Sequence, residues 1–311
     1  MPVEYFVCVV ESAGYEFQTL PHLITDEQYR VLVPRTTGTE RFGRTFPLFE
    51  KPALWREFAE LKPTEETILA FASKHGALFP DAETPLAEQS PLSKTKSPAI
   101  PVRLLDNSLA SGERFGMWKA HIEEMKRLSN LWDLLQSKDP LKGKDQLEKQ
   151  VIQNTGNSHR WVFVSRPRIY ELIKSRQHRN PKTHALDPKK FLETDFAYAF
   201  ELPANFENPT PEDAAHHYLL ENINEMLSDI RPMIAWDMTN PLSKHLDLIM
   251  RPNSLKDALW LQFAQAVTRD TKFERCDRCK KWFQLGAKNS QKKMFCSTAC
   301  KQAAWRQKKL A

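Results

Sequence analysis

The sequence predicts an α+β protein that ends in a small cysteine-rich module. Runs of aromatic and β-branched residues, which favour strands, occur at 5–10, 29–33 and 161–164, and aromatic residues alternate at 196–200. Between these runs, apolar residues recur at three- and four-residue steps, as they do along one face of a helix. Four of the five cysteines lie within the last 36 residues.

Five segments carry helix signals, namely a capping residue or proline at the start followed by apolar residues at helical spacing. They begin at or near Pro52, Thr64, Glu113, Thr210 and Ser254. The second is expected to end at Gly76 and the third to extend to Gln136. The fourth carries apolar residues as far as Ile230. Mixed with the strands, these helices give the α+β class.

The composition predicts folded protein for most of the chain, because 41% of the 311 residues are hydrophobic and 27% are charged. A stretch rich in Pro and Ser, 82–103, is predicted to be a linker or exposed loop. It separates an N-terminal α+β part, 1–81, from an α+β and helical part, 104–270. The remaining residues, 271–311, form the basic cysteine-rich module.

Positive charge is concentrated in that module. From Lys272 to Lys309 there are twelve Lys or Arg and two acidic residues, a net charge of +10, whereas the whole chain has +6. Such an asymmetry favours a polyanionic partner, above all nucleic acid. A second basic segment, from Arg166 to Lys190, could extend the contact, although charge runs are more often a solvated face.

The cysteine spacing predicts one zinc site with four thiolate ligands. Cys276 and Cys279 are separated by two residues, Cys296 and Cys300 by three, and sixteen residues lie between the pairs. Two such pairs can converge on a tetrahedral ion from separate backbone segments. The first pair suits a tight knuckle, and the second suits a helix start with Ser297 as its N-cap. One structural Zn²⁺ is therefore the predicted cofactor, and Cys8 is expected to be a buried thiol.

This order of knuckle, hairpin and helix is that of a treble clef. The stretches Arg275–Phe283 and Phe295–Ser297, together with Cys300, resemble the CGNR-type zinc fingers of bacterial proteins. The helix at 253–262 is similar to the segment that leads into such fingers. The resemblance implies zinc binding by the four cysteines, DNA binding and a role in transcription regulation. Because little chain separates Asp270 from the first cysteine, we expect the finger to dock on the preceding helix.

The predicted nucleic-acid contacts lie in the knuckle, ahead of the third cysteine and along the last helix: Lys280, Lys281, Lys292, Lys293, Lys301, Trp305, Arg306, Lys308 and Lys309. On the helix, Lys301 and Trp305 share a face. The indole of Trp305 could stack on a base, but covering the finger's own core is the commoner role for such a side chain. DNA is favoured over RNA by the resemblance.

The alternative is a structural or protein-interaction finger that binds no nucleic acid. An enzyme is not expected, because the sequence has no phosphate-binding Gly loop, no His-Glu-x-x-His and no nucleophile elbow. Four thiolates also leave no open position on the metal. A protein partner, or a second copy of the chain, could bind through the main domain, the part of the chain before the cysteine-rich module.

The compartment is expected to be the cytoplasm, with no attachment to a membrane. No run reaches the roughly eighteen apolar residues that a membrane span needs. The first residues, Met1–Tyr5, lack the basic and hydrophobic regions of a signal peptide. Clustered cysteines, unlike a disulfide framework spread through the chain, are typical of a reducing environment.

Overall fold

The computed structural model describes residues 7–8, 15–19, 30–34, 46–47, 51–78, 100–103, 109–137, 139–153, 159–164, 197–204, 206–236, 246–285 and 293–310. The helices and small antiparallel sheets in these residues agree with the predicted α+β class. The chain divides into two compact units, one combining Met1–Lys126 with Met226–Ala311 and the other comprising Arg127–Glu225. The cysteine-rich module belongs to the first unit.

The strands are short. In chain order they are β1 Val7–Cys8, β2 Tyr15–Thr19, β3 Arg30–Pro34, β4 Phe46–Pro47, β5 Ile100–Arg103, β6 Leu109–Arg114, β7 Val151–Gln153, β8 Arg160–Val164, β9 Ala197–Glu201, β10 Arg231–Trp236, β11 Leu246–Arg251, β12 Phe273–Arg275 and β13 Trp282–Gln284. The first unit contains a four-stranded sheet, ordered β2-β3-β6-β5, and the pairs β1-β4, β10-β11 and β12-β13. The second unit contains the sheet β7-β8-β9.

The helices are α1 Leu54–Ala59, α2 Glu65–His75, α3 Phe115–Leu135, α4 Pro140–Gln150, α5 Pro211–Met226, α6 Leu255–Thr268 and α7 Thr298–Leu310. Two predicted caps are confirmed. Thr64 forms a capping box with Thr67 at the start of α2, and Ser254 accepts a hydrogen bond from the backbone of Asp257 at the start of α6. Gly76 follows α2 with φ 97°, a conformation that glycine adopts without strain.

Two predictions differ from the structure, and one pair of strands was not predicted. Helix α5 ends at Met226 rather than continuing to Ile230, whose N–H closes a turn onto the carbonyl of Leu227; Ser228 and Asp229 are poor helix formers. The hairpin β10-β11 was not predicted, because Pro232 weakens the strand signal of the first strand. Residues 100–103 of the predicted linker form β5, while 82–99 lie outside the described residues.

Aromatic side chains fill the core of the first unit. Trp55 and Phe58 of α1, Trp118 of α3 and Phe263 of α6 are almost completely buried. The rings of Trp55 and Phe263 lie 4.6 Å apart, and those of Phe58 and Trp118 6.2 Å apart. Burying such rings is the main favourable contribution to folding, so α1, α3 and α6 form one packed body.

A buried carboxylate fixes the chain around this core. Glu113, at the end of β6, accepts hydrogen bonds from the indole N–H of Trp118 at 2.7 Å and from the backbone N–H of Leu78 at 3.1 Å. The carbonyl of Leu78 in turn accepts from the backbone N–H of Lys256 at 3.0 Å. A buried polar group is stable only when it is hydrogen-bonded, so these contacts lock β6, the end of α2 and α6 together.

The second unit packs α5 against its sheet. Tyr218 stacks on Phe163 of β8 with their centroids 4.8 Å apart. The guanidinium of Arg127 lies 4.1 Å from the ring centroid of Tyr198 and 5.1 Å from that of Tyr218. In the described part of the chain, no helix combines the length and hydrophobicity that crossing a membrane requires.

Two histidines of the first unit predict acid sensitivity. Burial, with Lys74 and Lys51 nearby, lowers the pKa of His75 to about 3. Burial, with Lys256 nearby, lowers the pKa of His121 to about 4. Each ring stays neutral in the folded protein but takes up a proton near pH 6.5 when unfolded, so the stability present above that pH is lost as the pH falls towards 4.

We therefore expect the urea midpoint to fall between pH 7 and pH 4.5. His75→Gln removes one titrating group. The slope of the free energy of unfolding against pH should therefore fall in this range by about 1 kcal/mol per pH unit. His121→Gln should reduce the slope by a similar amount, because burial lowers the pKa of His121 as well. An unchanged slope in His75→Gln would show that His75 is protonated in the folded protein.

Candidate metal centre and basic surface

The first cysteine pair lies in the turn between β12 and β13. The backbone N–H of Cys276 donates to the carbonyl of Lys281 at 2.9 Å, and the N–H of Lys280 donates to the carbonyl of Cys276 at 2.8 Å. Lys280 has φ 59°, a left-handed conformation that is uncommon outside glycine. It reverses the chain directly after Cys279, so both sulfurs face the same side of the turn.

The second pair lies at the start of α7. Ser297 caps this helix as predicted, because its hydroxyl accepts a hydrogen bond from the backbone N–H of Cys300 at 3.2 Å. Cys296 precedes the cap. The N–H of Asp277 donates to the carbonyl of Met294 at 3.0 Å and so joins the turn to the segment before the helix. Backbone contacts therefore hold the two pairs side by side.

The four sulfurs, of Cys276, Cys279, Cys296 and Cys300, all lie within 4.8 Å of one another. Those of Cys279 and Cys296 are 3.6 Å apart, and those of Cys296 and Cys300 are 3.5 Å apart. A disulfide would place the sulfurs at about 2.05 Å. Around a tetrahedral ion with metal–sulfur bonds of about 2.3 Å, neighbouring sulfurs are about 3.8 Å apart. The cluster is thus close enough to hold one metal ion.

The thiols of this cluster differ in their protonation. Burial raises the pKa of Cys276, but hydrogen bonds from the backbone N–H groups of Cys279, Cys296 and Arg278 outweigh it, and the pKa falls to about 6. Burial and the neighbouring sulfurs, Cys300 first, raise the pKa of Cys296 to about 12. Four sulfurs this close cannot all be negative without a cation among them, so a bound metal would release protons.

The module has a very small apolar core. Its buried members are Cys276, Phe283 and Leu285, with Phe295 packed beside them. A body of about forty residues with so little buried surface needs a metal or a disulfide to fold. The cysteine cluster is therefore also the structural centre of the module.

The hairpin β12-β13 docks on α1. The ring of Phe273 meets Trp55 edge to face at 5.6 Å. The buried guanidinium of Arg56 lies 4.5 Å from the Trp55 ring centroid, 4.8 Å from that of Trp282 and 5.5 Å from that of Phe273. An Arg enclosed by aromatic rings gains cation–π attraction and leaves water, so this contact fixes the hairpin.

An ion pair and the helix end complete the docking. Arg275 pairs with Glu60 at 2.5 Å, just after α1, and its guanidinium lies 4.9 Å from the Trp282 ring centroid. The N–H of Thr271 donates to the carbonyl of Ala266, which ties the start of the module to α6. Docking of the module was predicted on the preceding helix, α6. Its contacts with α1 were not predicted. Trp55 and Arg56 lie more than 200 residues away in sequence, and no local signal connects them to the hairpin.

Most of the predicted nucleic-acid contacts are exposed on the module. The described cationic side chains among them are all exposed: Lys280, Lys281, Lys293, Lys301 and Arg306. The ammonium of Lys293 lies 5.3 Å from the ring centroid of Phe283. Lys308 and Lys309 belong to α7, but the structure describes only their backbone. Lys292 lies outside the described residues. The basic segment at 166–190 lies outside the described residues as well.

Of the two roles considered for Trp305, covering the core of the finger disagrees with the structure, and stacking on a base stays a prediction. Its side chain is 63% exposed, so it does not cover the core of the module. Met294, which the sequence did not single out, is 58% exposed. The two most exposed large hydrophobic side chains among the described residues thus both lie in this module.

Comparison with known proteins finds no matching family model, no matching curated protein and no matching solved structure. The resemblance to CGNR-type fingers therefore stays a prediction.

The two tryptophans of the module give a matched pair of substitutions. Trp282→Ala removes the ring between Arg56 and Arg275, and we expect it to lower the free energy of unfolding by about 2 kcal/mol. Trp305→Ala, at an exposed site, should change it by less than about 0.5 kcal/mol. Limited proteolysis should cut after Asp270 faster in the first variant. Equal losses in the two variants would show that the hairpin does not hold the module in place.

Proposed function

We propose that this chain is a cytoplasmic, DNA-binding zinc protein whose C-terminal treble-clef finger acts in transcription regulation. The proposal begins with the metal. A closed set of four thiolates is the donor chemistry of a structural Zn²⁺ site, and the sulfur separations of 3.5 and 3.6 Å fit a tetrahedral ion. Such a site leaves no position for substrate, so its role is to hold the finger together.

The observation that carries the proposal is that some side chains of the finger contact α1 whereas its described predicted contact cations stay exposed. Phe273, Arg275 and Trp282 contact α1 or the residue after it. Lys280, Lys301 and the other described cations stay exposed. Even after four thiolates and Zn²⁺ are counted together as −2, about +8 of the module's +10 remains. Dense positive charge on a rigid body is suited to contacting phosphates.

A second function, a purely structural finger, is favoured by the docking itself. Arg56 is buried against rings from both the finger and α1. Zinc binding would then mainly stabilise the C-terminal end of the first unit. Binding to DNA distinguishes the two functions.

The zinc assignment makes a direct prediction. Purified full-length protein should contain one zinc per chain by metal analysis, and Cys296→Ser should lose most of it, whereas Cys8→Ser should keep it. Chelation should make the chain after Asp270 sensitive to protease. An iron-containing, coloured protein would overturn the assignment, because iron also accepts four thiolates.

Salt dependence tests the DNA contact. Binding of mixed-sequence duplex DNA should weaken steeply with salt, with a slope of about −0.9 per phosphate contacted. The double variants Lys301→Gln with Arg306→Gln, and Lys280→Gln with Lys281→Gln, should each weaken binding similarly for unrelated sequences and make the slope shallower by about 2.

The matched control removes two lysines from α4. The side chains of Lys144 and Lys149 are 74% and 44% exposed, and each forms a surface ion pair, with Glu148 and Asp145 respectively. Replacing both by Gln should leave affinity and slope unchanged. Should the parent bind no DNA at low salt, the structural function takes the place of the proposal.

A further inference from the structure

We infer that Trp305 is a stacking platform for an unpaired base, so that the finger prefers single-stranded nucleic acid to a duplex. The inference rests on the proposed function and narrows its substrate class. It starts from the contrast between the two tryptophans of the module. Trp282 lies against Arg56 and Arg275, whereas Trp305 is 63% exposed and makes no ring or cation contact with the described side chains.

The position of Trp305 on α7 rules out a role in the metal centre. Successive residues of a helix are rotated by about 100°, so Trp305 lies about 140° around the axis from Cys300. The metal-facing side of α7 is the side that carries Cys300, where Ala303 and Ala304 are half-buried. The indole therefore lies on a different side of α7 from the sulfurs, and most of its surface is exposed.

Positive charge borders this indole along the helix. Lys301 lies four residues before Trp305, and Lys309 lies four residues after it, so both positions share its face. Arg306 is the next residue and is exposed. A large aromatic surface bordered by cations fits a nucleotide, because the ring can stack on a base while the cations contact the phosphates on either side.

The bases of a single strand are more accessible to the Trp305 ring than those of a duplex. In a duplex each base face is already stacked on its neighbours, and an intruding ring must first unstack a step. Phosphates are present in both forms, so the cations alone would not discriminate. Stacking on an aromatic side chain strengthens binding by about 5- to 100-fold per base. The preference for unpaired strands should therefore depend on Trp305.

The test uses the full-length protein with labelled oligothymidylate, oligouridylate and a mixed-sequence DNA duplex, measured by fluorescence anisotropy at one salt concentration. The parent should bind the single strands more tightly than the duplex. Trp305→Ala should weaken single-strand binding by about tenfold, change duplex binding by less than about twofold, and leave the salt slope as it is. Trp305→Phe should restore part of the loss. The two single strands differ in the 2′-hydroxyl of the sugar and in the methyl group of thymine, and equal affinities would show that neither matters.

Met294→Ala is the matched control, because it removes the other strongly exposed apolar side chain without removing an aromatic face. It should change single-strand binding by less than about twofold. Oligothymidylate should also quench tryptophan fluorescence of the parent, and the change should be smaller in Trp305→Phe, although seven other tryptophans contribute a background.

Three results would overturn the inference. If the parent binds the duplex at least as tightly as the single strands, the finger has no preference for unpaired bases, while its proposed binding of DNA stands. If Met294→Ala weakens binding as much as Trp305→Ala does, general apolar contact replaces stacking. If the parent binds none of the three probes, the proposed function fails and the inference fails with it.

Discussion

The convergence of four sulfurs within 4.8 Å is the constraint on which the C-terminal module depends. Three buried residues form its core, and one backbone hydrogen bond, from Asp277 to Met294, joins the knuckle to the segment before α7 among the described contacts. Neither can hold two chain segments together in water. The thiol pKa values diverge, because backbone N–H groups lower that of Cys276 to about 6 despite its burial, whereas burial first and then the neighbouring sulfurs raise that of Cys296 to about 12. Four sulfurs packed this closely would repel one another as anions. A cation removes that repulsion and fixes the positions of the exposed lysines.

The docking on α1 gives this module a defined orientation on the first unit. A guanidinium is costly to bury, and Arg56 is only 6% exposed, so the rings around it must compensate for the water it loses. Two of those rings, Phe273 and Trp282, come from the hairpin. Phe273 and Trp282 are thereby held against α1, and the described cations among the predicted nucleic-acid contacts stay exposed between Cys279 and β13, just before Cys296 and on α7.

The sequence predicted what depends on near neighbours. The caps at Thr64 and Ser254 follow from residues three positions apart, and the cysteine spacing follows from the geometry of a tetrahedral ion. Contacts across the chain were not predictable, because pairing of β3 with β6 or of Arg56 with Trp282 leaves no local pattern. Helical periodicity predicted which face of α7 carries Trp305. It could not predict whether that face is covered, because this depends on how the rest of the chain packs around the helix.

Metal and nucleic acid are thermodynamically linked in the proposed function. The cations reach their positions only in the folded finger, and the finger folds only around its ion. A ligand that binds the folded form alone stabilises it by mass action, and the coupling is reciprocal. Bound nucleic acid should therefore raise the concentration of chelator needed to remove the zinc at equilibrium. Because Phe273 also packs against Trp55, part of this stabilisation reaches α1 and the core of the first unit. In the proposed function, the finger is thus both the surface that contacts nucleic acid and a clamp on the first unit.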